Sequence, residues 1–487
     1  MTEVATDYVT TIGLEIHVEL KTRTKMFCPC EVAFGGEPNT RVCPVCLGHP
    51  GTLPVPNERA IEYAALIALA LGCQIAPRSI FHRKNYFYPD MPKNYQISQY
   101  DIPIGSGGAL AIEVDGVASV VGITRAHLEE DTGKSVHVGA GGRIHEAEYS
   151  LEDYNRAGTP LVEIVTEPDM HSADQARAFA TELRSILEHL DVSDVRMEEG
   201  SLRIDANISV ARPGERGVKT EVKNMNSIRS VYRALSFEEQ RQRRALKGGE
   251  PLIQGTRHWD EKAGVTKPLR TKEFAFDYRY FPEPDLVPIE PSPEWVDRLI
   301  HDMPELPAAR RRRLVEEFSL TPYDAAVLTS SRALGDYFQL AWIAADKAEP
   351  KQLANWLVND LVGRLAERGE DIADSMVTPD ALAFLVDLVA DGTISGAQGK
   401  EVLAEMVASG TAPADIVAER GLKQVSDRSE LEQVVDDVVA ANPDAVAKIQ
   451  AGDAKPLGFL VGQVMRATKG QANPAVVNGL LRERLGQ

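Results

Sequence analysis

Acidic side chains are the residues of this sequence best suited to do chemistry, and many lie in its first 221 residues. The candidates are Glu15, Glu129, Glu130, Asp131, Glu163, Asp205 and Glu221. Glu163 lies in an apolar run at residues 161–165, so we expect it to be partly buried and to need a cation, a partner or a proton. Carboxylates near Lys and Arg suit Mg²⁺ and a nucleotide polyphosphate, although a structural salt-bridge network would use the same residues.

Three segments of alternating polarity are expected to position these carboxylates on β-strands. Residues 12–20, 202–208 and 218–224 alternate apolar and polar side chains, so every second residue shares one face. The polar sets are Glu15, His17 and Glu19; Arg203, Asp205 and Asn207; and Lys219, Glu221 and Lys223. A solvated face of a half-buried antiparallel strand explains any one set. Three such faces that mix acid, base and histidine weaken this explanation, because exposed strand faces favour Thr, Lys and Glu over His, Asp and Asn.

Four cysteines form two close pairs that are typical of a metal site. Cys28-x-Cys30 and Cys43-x-x-Cys46 are separated by 12 residues, a spacing at which thiolates can surround one tetrahedral Zn²⁺. Because four protein ligands leave no open position, we predict a structural zinc site. Four unliganded buried thiols are the alternative, and Cys73 is expected in the core at the end of a helix.

Aromatic residues are concentrated in residues 81–100, which hold six of the chain's 30 aromatics. Five more lie in residues 274–281. Because they are interleaved with Arg83, Lys84 and Lys93, they can stack on bases beside phosphate-binding cations. They can equally pin a long loop onto the core, and the sequence leaves both interpretations open.

Several other chemistries are not supported. Residues 132–135 (TGKS) resemble the end of a P-loop, but the first glycine of that loop would fall at Leu128. No nucleophile elbow or serine-rich amidase segment is present, and no candidate cysteine nucleophile lies outside the two pairs. An independent amidase is therefore disfavoured, and any glutamine would have to be hydrolysed by another subunit.

Composition limits the compartment and the partners. The chain has 487 residues, of which 43% are hydrophobic and 26% charged, as in globular proteins. Its 53 basic and 72 acidic residues give a net charge of −19, which excludes a general nucleic-acid coat. Residues 455–487 nevertheless carry five basic residues and one acid. With no apolar run of roughly 18–20 residues, no signal segment and few cysteines, we expect a cytoplasmic protein with no membrane contact.

Proline and glycine mark two expected domain boundaries. Five prolines fall between residues 282 and 293, and Ser292-Pro293 is typical of a helix N-cap followed by proline at the first helical position. A second break lies at residues 409–413. We therefore predict an α+β protein with an antiparallel-sheet domain over residues 1–291, an all-helical domain over 292–409 and a small helical tail over 410–487.

Six motifs together resemble one family, the B subunits of bacterial glutamyl-tRNA(Gln)/aspartyl-tRNA(Asn) amidotransferases. These motifs are Gly13–Leu20, Arg83–Asp90, His127–Asp131, Asn155–Leu161, Asp277–Pro284 and Phe459–Met465. The resemblance implies a cradle domain on an antiparallel sheet, a helical domain and a tail that contacts tRNA. It also implies a heterotrimer with a glutaminase A subunit of amidase fold and a small C subunit.

The resemblance implies a two-step reaction on a misacylated tRNA. ATP phosphorylates the side-chain carboxylate of Glu-tRNA(Gln) or Asp-tRNA(Asn), and ammonia from the glutaminase subunit then displaces phosphate. A carboxylate is a poor electrophile, whereas an acyl phosphate carries a leaving group. Phosphoryl transfer mainly requires positioning and charge neutralisation, hence Mg²⁺ and basic residues. A non-catalytic tRNA-binding scaffold remains the alternative, and the sequence does not choose between the two tRNAs.

The resemblance also assigns residues. It implies a Mg²⁺ site at Glu15, His17, Glu130 and Glu221, to which the burial and strand-face arguments add Glu163 and Asp205 as catalytic candidates. The further assignments are Lys84 and Lys223 for ATP phosphates or the acceptor end, Arg466 and Lys469 for tRNA, and Cys28, Cys30, Cys43 and Cys46 for zinc. The run Arg310–Arg313 is expected to begin a helix, with either a solvated face or a tRNA contact as its role.

Overall fold

The chain divides into two compact units, Met1–Pro307 and Ala308–Gln487, each described by itself below. The structure, a computed structural model, describes residues 8–139, 147–269, 278–422, 428–450, 455–468, 472 and 474–486. Among the described helices, none combines the length and apolar composition required to span a membrane. The three functional domains expected from the sequence stay predictions.

The first unit is built around a mixed β-sheet. Its described strands are β1 (Val9–Glu19), β2 (Gln74–Ile75), β3 (His82–Asn85), β4 (Tyr95–Ser98), β5 (Gly105–Val114), β6 (Val117–Glu130), β7 (Lys134–Gly139), β8 (Ala147–Asp153), β9 (Pro160–Thr166), β10 (Leu202–Ala211), β11 (Thr220–Lys223), β12 (Gly255–Asp260), β13 (Val265–Pro268) and β14 (Phe281–Pro282). Their main order is β13-β12-β11-β10-β1-β9-β6-β4-β3-β14, with β5 beside β6 and β2 beside β5. Strands β7 and β8 form a separate two-stranded sheet. Among the described pairs, β11 and β12 run parallel and the others antiparallel.

One face of the large sheet is apolar and packs on helices. On β1, Ile12, Leu14, Ile16 and Val18 are at most 1% exposed, whereas the residues between them are partly exposed, so the predicted alternation is confirmed. The helices of this unit are α1 (Glu58–Ala70), α2 (Ala173–His189), α3 (Ile228–Lys247) and α4 (Pro293–Asp302). Side chains of α1, α2 and α3 share one hydrophobic core with the sheet. Because the helices cover the apolar face, the opposite face is free to carry polar residues.

Two local predictions in this unit are confirmed. The Ser292 hydroxyl accepts a hydrogen bond from the Trp295 amide, and Pro293 begins α4, as the N-cap pattern predicts. Cys73 follows α1 and is 6% exposed within the core, as expected from its position after an Ala/Leu helix.

The second unit is helical in its described residues. Its helices are α5 (Pro307–Glu316), α6 (Pro322–Leu328), α7 (Arg332–Ala344), α8 (Pro350–Asn355), α9 (Val362–Arg368), α10 (Pro379–Ala390), α11 (Gly396–Ser409), α12 (Pro413–Glu419), α13 (Arg428–Ala441), α14 (Pro443–Gln450), α15 (Lys455–Ala467) and α16 (Pro474–Leu485). A π-helical turn at Trp356–Leu361 and a 3₁₀ turn at Ile372–Asp374 complete them. One hydrophobic core spans Leu314–Val417, and a second spans Leu431–Leu485. The sheet unit followed by helices confirms the α+β class.

The four-arginine run of α5 is not a uniform solvated face. Arg310 is 6% exposed, and its guanidinium nitrogen Nη1 lies 2.8 Å from Oδ1 of Asp336. Glycine at position 335 permits this packing, because a Cβ there would lie 2.8 Å from the Arg310 guanidinium. Arg310 is therefore a structural residue, while Arg312 is exposed.

Candidate active site

The polar face of the large sheet carries a cavity of about 360 Å³, here called the carboxylate cavity. It lies across the middle strands β10, β1 and β6. The partly exposed residues of β1 and β10 point to this face, and β6 contributes the buried Glu129. Its charged lining residues include His17, Lys84, Glu129, Arg203, Asp205 and Lys223. All six were singled out in the sequence, and the structure brings them around one cavity.

Strand register brings the cavity residues together. On β9, Glu163 pairs with His17 of β1 on one side and with His127 of β6 on the other. Directly opposed residues of antiparallel strands project to the same face, so the three side chains meet. Oε2 of Glu163 lies 3.5 Å from Nε2 of His17 and 3.4 Å from Nε2 of His127. In the same way, Glu15 lies opposite Asp205 of β10.

Glu129 completes this cluster. Its Oε1 lies 3.7 Å from Nε2 of His17, and its Oε2 lies 3.9 Å from Nε2 of His127. Ligand atoms of Glu15, His17 and Glu163 lie within 4.8 Å of one another, and so do those of His127, Glu129 and Glu163. The carboxylate oxygens of Glu15, Glu129 and Glu163 suit a hard divalent cation such as Mg²⁺ or Mn²⁺, and a neutral His17 imidazole would add one nitrogen ligand.

The structure does not bring Glu130 into this cluster. Consecutive strand residues project to opposite faces, so Glu130 points away from the side that carries Glu129. Its carboxylate binds the ammonium of Lys93 and accepts a 2.9 Å hydrogen bond from the amide of Ile97. The alternation within residues 127–130 is the signal that separates them, because His127 and Glu129 are two residues apart.

Glu221 and Asp205 form a second charged group beside the first. Nζ of Lys223 lies 2.8 Å from Oδ2 of Asp205 and 3.2 Å from Oε1 of Glu221. The hydroxyl of Thr256 donates a 2.7 Å hydrogen bond to Glu221. Burial lowers the pKa of Lys223, but the charges of Asp205 and Glu221 outweigh it and hold that pKa above its ordinary value. Lys223 is therefore a cation held in place by two carboxylates.

Electrostatic coupling is strong between His17 and Glu163. Burial lowers the pKa of His17, but the hydrogen bond to Glu163 and the charge of Glu129 raise it to about 9. Burial also raises the pKa of Glu163, and the two histidines outweigh it and hold that pKa well below its usual range. The pKa of Glu15 is raised by burial and by the charge of Glu163.

Lys84 faces these carboxylates across the cavity. Burial lowers its pKa, but the charges of Glu129 and Glu163, together with nearby Tyr280, raise it above the ordinary value, so Lys84 is a cation at neutral pH. Its Nζ lies 5.0 Å from the centre of the Tyr278 ring, within the range of a cation–π contact. A negatively charged group that enters the cavity would meet this ammonium.

A further acid pair, Asp131 and Glu19, borders the cavity at Asp131. Nη2 of Arg203 lies 2.7 Å from Oδ2 of Asp131, and Nε of Arg156 lies 3.4 Å from the same oxygen. Burial raises the pKa of Asp131, but the two arginines outweigh it and lower that pKa. Burial and the neighbouring Asp131 raise the pKa of Glu19 to about 8. Glu19 therefore belongs to a hydrogen-bonded acid pair, separate from the His17 cluster.

The four paired cysteines converge in one place. One sulfur from each of Cys28, Cys30, Cys43 and Cys46 lies within 4.8 Å of the others, and Sγ of Cys43 lies 3.9 Å from Sγ of Cys46. A tetrahedral zinc with Zn–S bonds of about 2.3 Å requires sulfurs about 3.8 Å apart, so this set fits zinc. A hydrogen bond from Cys28 is the main cause that lowers the pKa of Cys46 to about 4, which favours a thiolate there.

The predicted tRNA residues lie in the second unit. Arg466 is exposed near the end of α15. Lys469 lies outside the described residues.

Comparison with known proteins agrees with this arrangement. Residues 10–297 match the family model of the GatB/GatE catalytic domain, and residues 336–485 match that of the GatB domain. The B subunit of a Moorella thermoacetica aspartyl/glutamyl-tRNA(Asn/Gln) amidotransferase is 55% identical over 482 residues, 98% of this chain and 100% of its own length. Proteins of the same name from Carboxydothermus hydrogenoformans and Geotalea daltonii are each 51% identical, covering 99% and 98% of this chain and 99% of their own lengths.

The sheet and its polar cavity thus lie within a region that matches a catalytic-domain family. The chain belongs to the family of aspartyl/glutamyl-tRNA(Asn/Gln) amidotransferase B subunits.

Proposed function

We propose that this chain phosphorylates and then amidates the side-chain carboxylate of misacylated Glu-tRNA(Gln), Asp-tRNA(Asn) or both. The products are Gln-tRNA(Gln) and Asn-tRNA(Asn), so the complex is a carbon–nitrogen ligase with glutamine as nitrogen donor. The observation that carries the proposal is the carboxylate cavity, where Lys84 faces Glu129 and Glu163 inside the catalytic-domain region. The names of the relatives, which contain both tRNAs, support the substrate class.

Glu15, His17, Glu129 and Glu163 would hold Mg²⁺ in this proposal. Glu15, His17 and Glu163 form one compact group of donor atoms, and Glu129 lies 3.7 Å from His17 and belongs with Glu163 and His127 to the adjoining group. The bound cation would neutralise phosphate charge and make the transfer of a phosphoryl group easier. Glu130 is left out of this ligand set, since it binds Lys93 and Ile97 on the other side of the strand.

The chain's own basic residues position the reactants. Lys84 and Lys223 both line the cavity and would bind phosphate oxygens of ATP. Asp205 and Glu221 hold the Lys223 ammonium by contacts of 2.8 and 3.2 Å, so its charge is fixed before ATP arrives. Such preorganised charge stabilises a transition state without reorganisation during the reaction.

The two chemical steps balance without any further reagent. The side-chain carboxylate of the aminoacyl group attacks the γ-phosphorus of ATP, and ADP leaves, which gives an acyl phosphate. Ammonia then attacks the acyl carbon, phosphate leaves with the bonding electron pair, and nitrogen loses a proton to form the amide. The cavity holds charged groups for the first step, but no glutamine-hydrolysing nucleophile is proposed in this chain.

Partners follow from the missing glutaminase chemistry. We propose a heterotrimer in which an amidase-fold A subunit releases ammonia and a small C subunit binds both larger subunits. Cys28, Cys30, Cys43 and Cys46 would bind a structural zinc in this chain. The exposed Arg466 would contact the tRNA backbone.

The experiment that tests the proposal separates catalysis from scaffolding. The purified complex is given γ-labelled ATP and Glu-tRNA(Gln) without glutamine or ammonia. Labelled phosphate should accumulate on the aminoacyl-tRNA with the wild-type chain and not with Glu15→Ala, while both bind the tRNA equally. A Glu15→Ala complex that amidates normally with ATP would leave only a non-catalytic tRNA-binding scaffold.

A further inference from the structure

Three consecutive aromatic residues lie at and beside the wall of the carboxylate cavity. Tyr86 lines the cavity directly, and the Tyr88 ring stacks on it with centroids 5.9 Å apart and planes 28° apart. Tyr88 is 40% exposed, and Phe87 between them is 70% exposed. Tyr86, Phe87 and Tyr88 are here called the aromatic rim.

Two of the three other aromatics of residues 81–100 pack against the core, whereas the third, Tyr100, is exposed and stacks on Tyr280. Phe81 is 3% exposed and meets Phe27 edge to face at 5.4 Å, and Tyr95 packs against the same core. Those two residues pin the segment to the sheet. Phe87 and Tyr88 stay exposed, so core packing does not explain them, and they adjoin Tyr86 in the cavity wall, where their rings are available to a ligand.

The segment that begins at Tyr278 is fixed to the strand residue that precedes the rim. Tyr278 lines the cavity, and its carbonyl accepts hydrogen bonds from the backbone amide of Asn85 at 2.9 Å and from Nδ2 of Asn85 at 3.1 Å. Asn85 Nδ2 also donates to the carbonyl of Arg279 at 2.7 Å, where the backbone takes a positive φ of 43°. The Asn85 side chain therefore holds a strained turn that places Tyr278 beside Lys84.

We propose that the aromatic rim stacks on unpaired bases at the 3′ end of the aminoacylated RNA. The inference rests on the proposed function, because an amino acid that enters the cavity is esterified to the terminal ribose. Only a few bonds join its side-chain carboxylate to that ribose, so the terminal base must lie at the mouth while the carboxylate lies beside Lys84. The rim suits that position, because Tyr86 lines the cavity and Phe87 and Tyr88 beside it are exposed.

Stacking is the interaction that this surface can supply. The chain carries a net charge of −19, so a broad attraction for phosphate is not available. Aromatic faces bind single-stranded bases with little dependence on sequence, because every base has a π-face. A rim that is independent of base identity suits a 3′ end that two different tRNAs have in common.

Adenine of ATP is the other base that could occupy the rim, and kinetics separate the two sources. In the full heterotrimer, Tyr88→Ala and Phe87→Ala should each raise the KM for Glu-tRNA(Gln) about tenfold and leave the KM for ATP unchanged. Tyr88→Phe keeps the ring and should restore the wild-type KM. Phe34→Ala, which removes another aromatic of this unit that is 76% exposed, is the matched control and should change neither value.

A binding measurement does not depend on phosphorylation. Deacylated tRNA(Gln) should bind the wild-type complex more tightly than the same tRNA cut back to its last base pair, and Tyr88→Ala should abolish that difference. Loss of this difference in Tyr88→Ala supports the rim proposal even where the wild-type complex makes no acyl phosphate. Failure of the wild-type complex to make acyl phosphate would refute only the proposed function. The rim proposal is overturned where the KM for ATP alone rises, or where Tyr88→Ala and Phe87→Ala behave like Phe34→Ala.

Discussion

The carboxylate of Glu163 lies 3.5 Å from Nε2 of His17, across the ladder that joins β9 to β1. Their contact follows from register, because a slip of one residue would turn Glu163 to the apolar face. The pair links an anion to an imidazole whose pKa is raised to about 9, in a cavity that also holds the Lys84 ammonium. The chemistry proposed for the chain depends on this alignment.

Replacing Lys84 should impair phosphoryl transfer more than folding. Lys84→Met keeps the side-chain length and removes the cation that faces Glu129 and Glu163, so kcat/KM for ATP should fall about 100-fold. Lys247→Met, at the exposed end of α3, is the control and should be neutral. Steady-state phosphorylation assays on the heterotrimer check this, and equal activity of the two variants would exclude a role for Lys84.

The cysteine set should bind one zinc per chain. Cys43→Ser removes one of four converging sulfurs and should abolish zinc binding, whereas Cys73→Ser, buried in the core away from that set, should retain it. Elemental analysis of the purified variants gives the answer. Full zinc content in Cys43→Ser would show that these thiols do not form the site.

Glu238 should make the first unit sensitive to acid. Its side chain is fully buried and accepts hydrogen bonds from Arg241 at 2.6 Å and Thr266 at 2.8 Å. Burial raises its pKa, but these bonds and that of Gln242 outweigh burial and lower it below the ordinary 4.5. A depressed folded pKa contributes stability above pH 4.5 that is lost as the pH falls further.

Glu238→Gln should therefore lower the free energy of unfolding by about 2 kcal/mol at pH 7. The gap to wild type should narrow below pH 4.5, where the wild-type carboxylate is protonated in the unfolded chain. Urea unfolding at several pH values measures the loss of stability at pH 7 and its change with pH, and Glu113→Gln, at an exposed position, is the control. A gap that stays constant down to pH 3 would contradict the assignment.

Arg466 should contribute one phosphate contact to tRNA binding. Arg466→Ala should weaken binding and reduce the slope of log K against log salt by about 1. Arg484→Ala is the matched control, because Nε of Arg484 already lies 2.7 Å from Oδ1 of Asp436. Titrations of the two variants with tRNA at four salt concentrations measure the slopes. Identical slopes for both variants would show that Arg466 makes no phosphate contact.

Local patterns in the sequence predicted much of the fold. Alternation in β1 gave the shared face of Glu15 and His17, and Ser292-Pro293 gave the start of α4. The sequence could not show that β1 pairs with β10, because their partners lie about 190 residues apart and pairing depends on the whole core. For the same reason, the contact of His127 with Glu163 was missed.

The prediction of Glu130 rather than Glu129 as a metal ligand did not come from a local sequence pattern. The resemblance to the family implied Glu130, whereas strand alternation alone would have placed Glu129 beside His127. Arg310 shows the opposite limit, since its burial depends on Gly335 and Asp336 in α7 and no local pattern reveals it.

The central claim is tested most directly by replacing two adjacent glutamates, Glu129 and Glu130, and comparing the effect of each substitution on metal binding. Mn²⁺ is used in place of Mg²⁺, and its binding to heterotrimers that carry Glu129→Gln or Glu130→Gln is measured by electron paramagnetic resonance. Glu129 belongs to the His17 and Glu163 cluster and Glu130 binds Lys93, so Glu129→Gln should weaken Mn²⁺ at least about 10-fold and Glu130→Gln should leave it unchanged. Undiminished Mn²⁺ binding in Glu129→Gln, or loss of it in Glu130→Gln, would contradict a cation site on the polar face of the sheet.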